Sequence, residues 1–305
     1  MLVEDVNRGQ AMRVMLATDG SKDAQAAVAF LKELPLPPST ALRITIVVTL
    51  PSFTLDVPPV REFKRSVLDE ARGIVDGARA ALAPRGFAIE TDVAVGDPKA
   101  EIVRMAEEWG ADLVVLGARG LGPIKRFLLG SVSSAVARHA RCPVLVVKGR
   151  PRKLGSVLVG MDGSEDSFQA VRFLQSLALP RQTKVRLLSV VEPLRYPASA
   201  PQALRGQLVR MLKELESERR GQLEKVLERA ATQLDDKITR VTQSTPTGDP
   251  ANEIVATAAG YDTDLVVVGA RGLGGMARLL LGSVSEKVLR HARCPVLIVK
   301  ERSKA

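Results

Sequence analysis

The sequence predicts an α/β protein of two tandem domains, each a doubly wound parallel sheet of five strands, and three observations carry that prediction. Thirty-two residues occur twice in register, GARGLGPIKRFLLGSVSSAVARHARCPVLVVK from Gly117 to Lys148 and GARGLGGMARLLLGSVSEKVLRHARCPVLIVK from Gly269 to Lys300, with 24 positions identical. Each half alternates short apolar runs with segments of helical period, the pattern that makes a parallel sheet with helices on both faces and right-handed crossovers. Runs such as Leu113 to Leu116 and Leu265 to Val268 are apolar throughout, as strands covered on both faces are.

A chain of 305 residues with 46% hydrophobic content is long enough for two cores, and the repeat divides it into 1–150 and 151–305. No run approaches the roughly 18 apolar residues of a membrane span. The N-terminal MLVEDVNRGQAMR carries acids and lacks an apolar targeting segment. The two cysteines, Cys142 and Cys294, occupy matching repeat positions and make no disulfide framework, which fits a reducing cytoplasm. The formal charge of +10 raises nucleic acid or an acidic membrane surface as a partner. Aromatics at 3% offer no stacking platform, and no zinc-finger, helix-turn-helix or RNA-binding signature is present, so neither partner is expected.

In chain order, Arg13 to Ala17 reads as strand one and runs into Thr18-Asp19-Gly20-Ser21; Val157 to Gly160 runs likewise into Met161-Asp162-Gly163-Ser164. Asp-Gly-Ser supplies a turn and then an N-cap. The helix that follows repeats apolar residues at Ala27, Phe30, Leu31 and Leu34, matched by Ala170, Phe173, Leu174 and Leu177, and stops at Pro35 or Pro180. Strand two is expected over Leu42 to Thr49 and Val185 to Val191, followed by proline-rich loops. A long helix comes next, near Val60 to Leu82 and Gln202 to Leu234, about nine residues longer in the second half. Its charged ELESERRGQLEKVLER stretch is expected to form a solvated outer face. Strand three spans Ala88 to Val95 and Thr239 to Ser244. Gly-Asp-Pro then opens a helix with proline at its first turn, at Gly96 and at Gly248. That helix ends near Gly110 or Gly260 and leads to strand four and the repeated motif, whose last strand is Pro143 to Val147 or Pro295 to Val299.

Strand four opens into a loop with glycine at its first, fourth and sixth places, and a Gly-Ser pair then starts a helix. Glycines let backbone N–H groups approach a ligand closely, and a helix N-terminus adds unpaired donors and the positive dipole end. Seven Lys or Arg and no acid lie between Gly117 and Arg150. An anion, phosphate above all, suits this order of parts. Ligands in open parallel sheets sit beyond the carboxyl ends of strands where the strand order reverses. If strands one and four are neighbours there, Asp19 and the Gly117 loop face one crevice, as do Asp162 and the Gly269 loop.

These motifs resemble those of the universal stress protein family in its ATP-binding, tandem form. That branch carries G-2x-G-9x-G-[ST], which stands here as Gly117, Gly120, Gly130 and Ser131, and again as Gly269, Gly272, Gly282 and Ser283. Asp-Gly-Ser, Gly-Asp-Pro and the final Cys-Pro-Val-Leu strand also fit, so the resemblance spans Arg13 to Lys300. It implies a Rossmann-like fold and an adenine-nucleotide site in each half, for ATP or else ADP or AMP. Asp19 and Asp162 would hold ribose hydroxyls, and main-chain groups of Val48 and Val190 the adenine edge. Gly117, Gly120, Gly130, Ser131 and Ser133 would hold phosphates, with Gly269, Gly272, Gly282, Ser283 and Ser285 their counterparts. Arg119 and Arg271 would reach ribose or phosphate. Mg²⁺ is expected with the triphosphate, held chiefly by phosphate oxygens and water. The implied role is a cytoplasmic, nucleotide-dependent stress-response sensor with an unassigned protein partner and at most slow ATP hydrolysis. Met161 in place of Thr18 predicts unequal sites.

Other chemistries fit less well. Gly122 is followed by Pro123, so the loop is no P-loop, and it follows the fourth strand, unlike a dinucleotide fingerprint. His139 with Cys142, and His291 with Cys294, form H-x-x-C pairs without further His or Cys; a helix-terminal imidazole and a buried thiol account for them. Neither His stands in a triad-like pattern with serine. Asp112 and Asp264 are expected to be caps or turn residues. Asp19-Gly20-Ser21-Lys22-Asp23 and Asp162-Gly163-Ser164-Glu165-Asp166-Ser167 echo the SGG-x-D-S strand-one loop of ATP pyrophosphatases, an alternative ATP-using class, but aspartate replaces the first serine, and serine the second glycine, which would crowd the pyrophosphate. The fifth strands are apolar on both faces, which predicts that the two halves pair edge to edge and that the chain can dimerise again.

Overall fold

The computed structural model describes residues 11–51, 57–121, 129–149, 152–194, 202–235, 238, 240–273 and 281–300. Lys125 and Arg126 of the basic stretch, and Pro197 and Pro201 of the second proline loop, lie outside the described residues. The chain divides into two compact units, Met1–Pro151 and Arg152–Ala305.

The first unit runs β1 (Arg13–Ala17), α1 (Lys22–Glu33), β2 (Ala41–Val48), α2 (Pro58–Leu82), β3 (Ala88–Val95), α3 (Pro98–Trp109), β4 (Leu113–Gly117), α4 (Ser131–His139) and β5 (Val144–Val147). The second repeats it as β6 (Ser156–Gly160), α5 (Glu165–Ser176), β7 (Lys184–Leu188), α6 (Gln202–Asp235), β8 (Arg240–Ser244), α7 (Pro250–Gly260), β9 (Leu265–Gly269), α8 (Ser283–His291) and β10 (Val296–Val299). All pairings are parallel, in the order β3-β2-β1-β4-β5 and, in the second unit, β8-β7-β6-β9-β10. β1 therefore lies between β2 and β4, and β6 between β7 and β9. The strand order reverses at these points, so the ends of β1 and β4, and of β6 and β9, flank one crevice each.

The caps follow the residue types. Ser21 and Ser164 accept the N–H groups of Ala24 and Ser167, and Asp97 and Asp249 cap α3 and α7 ahead of a first-turn proline. The central strands are wholly apolar and covered by helices: Leu113 to Val115 and Leu265 to Val267 have no exposed surface. Asp112 and Asp264 are turn residues. The carboxylate of Asp112 accepts the Arg13 N–H at 2.8 Å, and that of Asp264 accepts those of Gly155 and Ser156 at 2.9 Å, tying the start of the first strand to the start of the fourth. His139 and His291 end their helices, Cys142 is buried, and no cluster of three metal-ligating side chains exists among the described residues. No helix there is long and apolar enough to cross a membrane.

Two expectations need correction. Strand two of the second unit ends at Leu188, and only an isolated bridge from Val191 to Thr247 continues its direction. The charged stretch of α6 is more than a solvated face. Leu223 and Leu227 are buried, the Arg220 guanidinium bonds the Thr245 carbonyl and the Thr247 hydroxyl, and Glu216 accepts the Leu194 N–H at 2.9 Å. Charges on this helix sit beside an apolar stripe of period 3.6, which is what fastens it.

Candidate nucleotide site

At the end of β1 the Asp19 carboxylate joins its own turn to a loop 102 residues further along the chain. Its Oδ1 accepts the Ser21 N–H at 3.1 Å and its Oδ2 accepts the Leu121 N–H, from the glycine loop, also at 3.1 Å. Asp162 repeats this with the Ser164 N–H at 2.9 Å, the Ser164 hydroxyl at 2.6 Å and the Leu273 N–H at 3.0 Å. A carboxylate offers about four acceptor positions, so Asp19 keeps about two and Asp162 about one for a ligand's hydroxyl groups. The loop can come this close only because it has no side chain there. A Cβ on Gly120 would stand 2.3 Å from Asp19 Oδ2, and one on Gly272 would stand 2.5 Å from Asp162 Oδ2.

Gly117 and Gly269 serve a different contact. A Cβ on Gly117 would meet the backbone of Asp23 and Ala24 at 2.5 to 2.6 Å, and one on Gly269 would lie 2.8 to 2.9 Å from Asp166 and Ser167. These glycines let strand four pass under the first turn of α1 or α5. Gly130 and Gly282 are the N-caps of α4 and α8 and bring no capping side chain, so first-turn amides face outward with the exposed Ser131 and Ser283. Ser133 and Ser285 are 3% and 5% exposed, and their hydroxyls donate to the Gly117 and Gly269 carbonyls at 2.7 and 2.6 Å. They tie each helix to its loop.

Arg119 and Arg271 point at an aspartate of the preceding helix. Arg119 Nε and Nη2 donate to Asp23 at 2.8 and 3.1 Å, and that pairing raises the guanidinium pKa above its ordinary value. Arg271 donates its main-chain N–H and Nε to Asp166 Oδ2 at 2.9 and 3.1 Å. Asp23 and Asp166 entered the sequence reading only through the pyrophosphatase echo; the signal for this contact was an acid at the same place in both first turns.

Val48 and Val190 are not equivalent positions. The Val48 carbonyl accepts the Gly96 N–H at 3.0 Å, and in the second unit the Val191 carbonyl accepts that of Gly248 at 3.0 Å. In a parallel strand the N–H and C=O of one residue point to the same side, and sides alternate. The Thr45 carbonyl accepts the Thr18 N–H, and Leu188 that of Met161, so Val47 and Val190 face the same way, past the end of β1 or β6. The first-unit counterpart of Val190 is thus Val47. The sequence held the clue, since both stand 28 residues after the aspartate of Asp-Gly-Ser.

In the second unit these groups surround one cleft of about 490 Å³, within the usual range for small-molecule sites. Asp162, Gly269, Arg271 and Gly272 line one side, with Gly282, Ser283 and Ser285 at the start of α8. Val190, Met161, Leu188, Leu223 and Ile254 supply apolar lining, with Glu192 and Arg219 also on the wall.

Comparison with known proteins agrees with this architecture. The profile described as "Universal stress protein family" matches residues 11–148 and again 154–300. Universal stress protein Rv2623 of Mycobacterium tuberculosis is 30% identical over 310 residues, covering 95% of this chain and 97% of its own. Rv2005c of the same organism is 33% identical over 246 residues, covering 76% of this chain and 78% of its own. The crystal structure of a universal stress protein from Archaeoglobus fulgidus superposes with a TM-score of 0.64 at 20% identity, over 97% of this chain and 100% of that one, a likeness of fold. With two profile matches that span both units and a relative aligned over nearly its whole length, the chain belongs to the universal stress protein family.

Proposed function

We propose that each unit binds an adenine nucleotide, ATP or else ADP or AMP, and that the chain acts as a nucleotide-dependent regulator in a stress response. One observation carries the reading: in the second unit, all eight residues singled out there from the sequence line a single cleft. Its parts match a nucleotide's. The apolar lining around Val190 suits a base, the half-buried Asp162 keeps an acceptor position for a ribose hydroxyl, and the open first turn of α8 suits phosphates. The same hydrogen-bonded constellation around Asp19, Gly120 and Gly130 supports a second site in the first unit. Arg119 and Arg271 steady the glycine loop in this reading, and Val47 takes the place of Val48 at the base edge. Mg²⁺ would arrive with the triphosphate and keep mostly phosphate and water ligands, with at most one aspartate. Turnover is at most slow, and the role is binding. A further part of the proposal pairs the two units through β5 and β10, each last in its unit's strand order; cross-linking of these strands tests it.

Mass analysis of small molecules released by denaturing the purified protein tests the nucleotide reading. Adenine nucleotides are expected at up to two per chain. Their absence, together with no uptake of added ATP, ADP or AMP, refutes it.

A further inference from the structure

The two clefts differ where the base would lie, and the difference centres on one ion pair; this inference rests on the nucleotide reading above. The ladders make Thr45 equivalent to Leu188, partnered by Ala17 and Gly160. On α2 the buried residues Ala71, Val75, Ala78 and Leu82 have the spacing of Leu223, Leu227, Ala230 and Leu234 on α6. A Cβ on Gly20 would meet Ile74 just as one on Gly163 would meet Val226, which fixes the same register. Glu192 and Arg219 of the second unit therefore stand where the first has Thr49 and Val67. Met161, Leu188 and Leu223 stand where it has Thr18, Thr45 and Ala71.

Glu192 lies two residues beyond Val190, and the Arg219 guanidinium is 3.9 Å from its carboxylate. Both supporting segments are pinned. The Val191 N–H donates to the Pro246 carbonyl at 2.9 Å, the Leu194 N–H to Glu216, and Arg220 to Thr245 and Thr247. The two side chains are 57% and 45% exposed, so the pair adds little to stability. It does set a negative acceptor, partly neutralised, at the base end of the cleft.

We propose that Glu192, with Arg219 beside it, reads the exocyclic amino group of adenine in the second unit. A carboxylate only accepts hydrogen bonds, and the 6-amino group donates; a 6-oxo purine in the same pose sets an acceptor against it. Thr49 has a hydroxyl that can donate or accept and here donates to the Gly96 carbonyl at 3.0 Å, and Val67 carries no charge. The second cleft thus rejects 6-oxo purines about tenfold more strongly than the first, the order expected for one charge-assisted hydrogen bond at a partly exposed site.

Calorimetry on the full chain tests this with ATP and ITP, using Asp19→Ala to leave the second cleft and Asp162→Ala to leave the first. The ITP-to-ATP ratio of Kd is expected to be about tenfold larger in the Asp19→Ala protein. Adding Glu192→Thr to it is expected to remove that excess, and Glu192→Gln, whose amide can also donate, to reduce it. Equal ratios in the two single-site proteins, or a ratio unmoved by both Glu192 variants, overturn the proposal and leave nucleotide binding standing. No ATP uptake by the wild type overturns both.

Discussion

Replacing Gly120 and Gly272 with alanine adds one methyl group per site, directly against the aspartate carboxylate. At Gly272 the new Cβ would lie 2.5 Å from Asp162 Oδ2, against ordinary contact at 3.4 Å or more, so the carboxylate must retreat by roughly 0.9 Å. At Gly120 the overlap is larger, with 2.3 Å to Asp19 Oδ2. A shift of that size takes Oδ2 away from the Leu121 or Leu273 N–H, now at 3.1 and 3.0 Å. Hydrogen bonds to a charged group are worth about 1.5–3 kcal/mol, and the displaced carboxylate no longer meets a ribose diol at the same place. The double variant is expected to bind ATP at least about tenfold more weakly by calorimetry, by the conversion of about 1.4 kcal/mol per decade. The backbone at both positions has negative φ, so alanine itself is tolerated. Wild-type ATP affinity in a folded Gly120→Ala, Gly272→Ala protein would refute the reasoning that these aspartates are poised for the ligand.

Three further outcomes follow from the same geometry. Gly117→Ala places its Cβ 2.5 Å from main-chain atoms that cannot turn aside, so thermal melting should fall well beyond the ordinary cost of a core overpacking, about 1–3 kcal/mol; an unchanged melt would mean that α1 shifts freely. Arg271→Ala strands the Asp166 side chain, which is 4% exposed, and is expected to destabilise by up to about 3 kcal/mol in urea unfolding. Arg119→Ala should cost less, because Asp23 is 15% exposed and can rehydrate. Asp249 accepts the Asn252 N–H at 3.0 Å, which together with nearby Lys287 holds its pKa below the ordinary aspartate value. A depressed folded-state pKa contributes stability at neutral pH that is lost as the pH falls below the usual aspartate range. Asp249→Ala should therefore cost about 1 kcal/mol at pH 7 and progressively less in acid, read by urea unfolding at several pH values.

The succession of parallel strands and helices was legible because the central strands are apolar runs and three strands per half end in a recognisable exit: Asp-Gly-Ser after the first, Gly-Asp-Pro after the third, the glycine loop after the fourth. The aspartate and both Gly-Ser helix starts were legible for the same reason. What escaped were contacts between segments far apart in sequence. Gly117 reads as a phosphate glycine, yet its missing side chain makes room for the backbone of Asp23 and Ala24. Arg119 reads as an anion ligand, yet its guanidinium is paired with Asp23 at 2.8 Å. The side to which a strand residue turns its amide depends on ladder register, so Val48 could stand for Val47 until the Gly96 N–H was found on its carbonyl. The charged stretch of α6 concealed Leu223 and Leu227 among polar neighbours, and with Leu223 part of the wall of the second cleft.

Nucleotide held at the start of α4 and α8 is open to one calorimetric titration with ATP. Gly130→Glu plus Gly282→Glu puts a carboxylate beside the uncapped first turns, while Gly130→Ala plus Gly282→Ala adds the same Cβ, 3.0 and 3.2 Å from the Ala118 and Ala270 carbonyls, without charge. Two sites are expected in the wild type, none in the glutamate pair, and weakened but measurable binding in the alanine pair. Undiminished ATP uptake by the glutamate pair would contradict the assignment of phosphates to these helix ends.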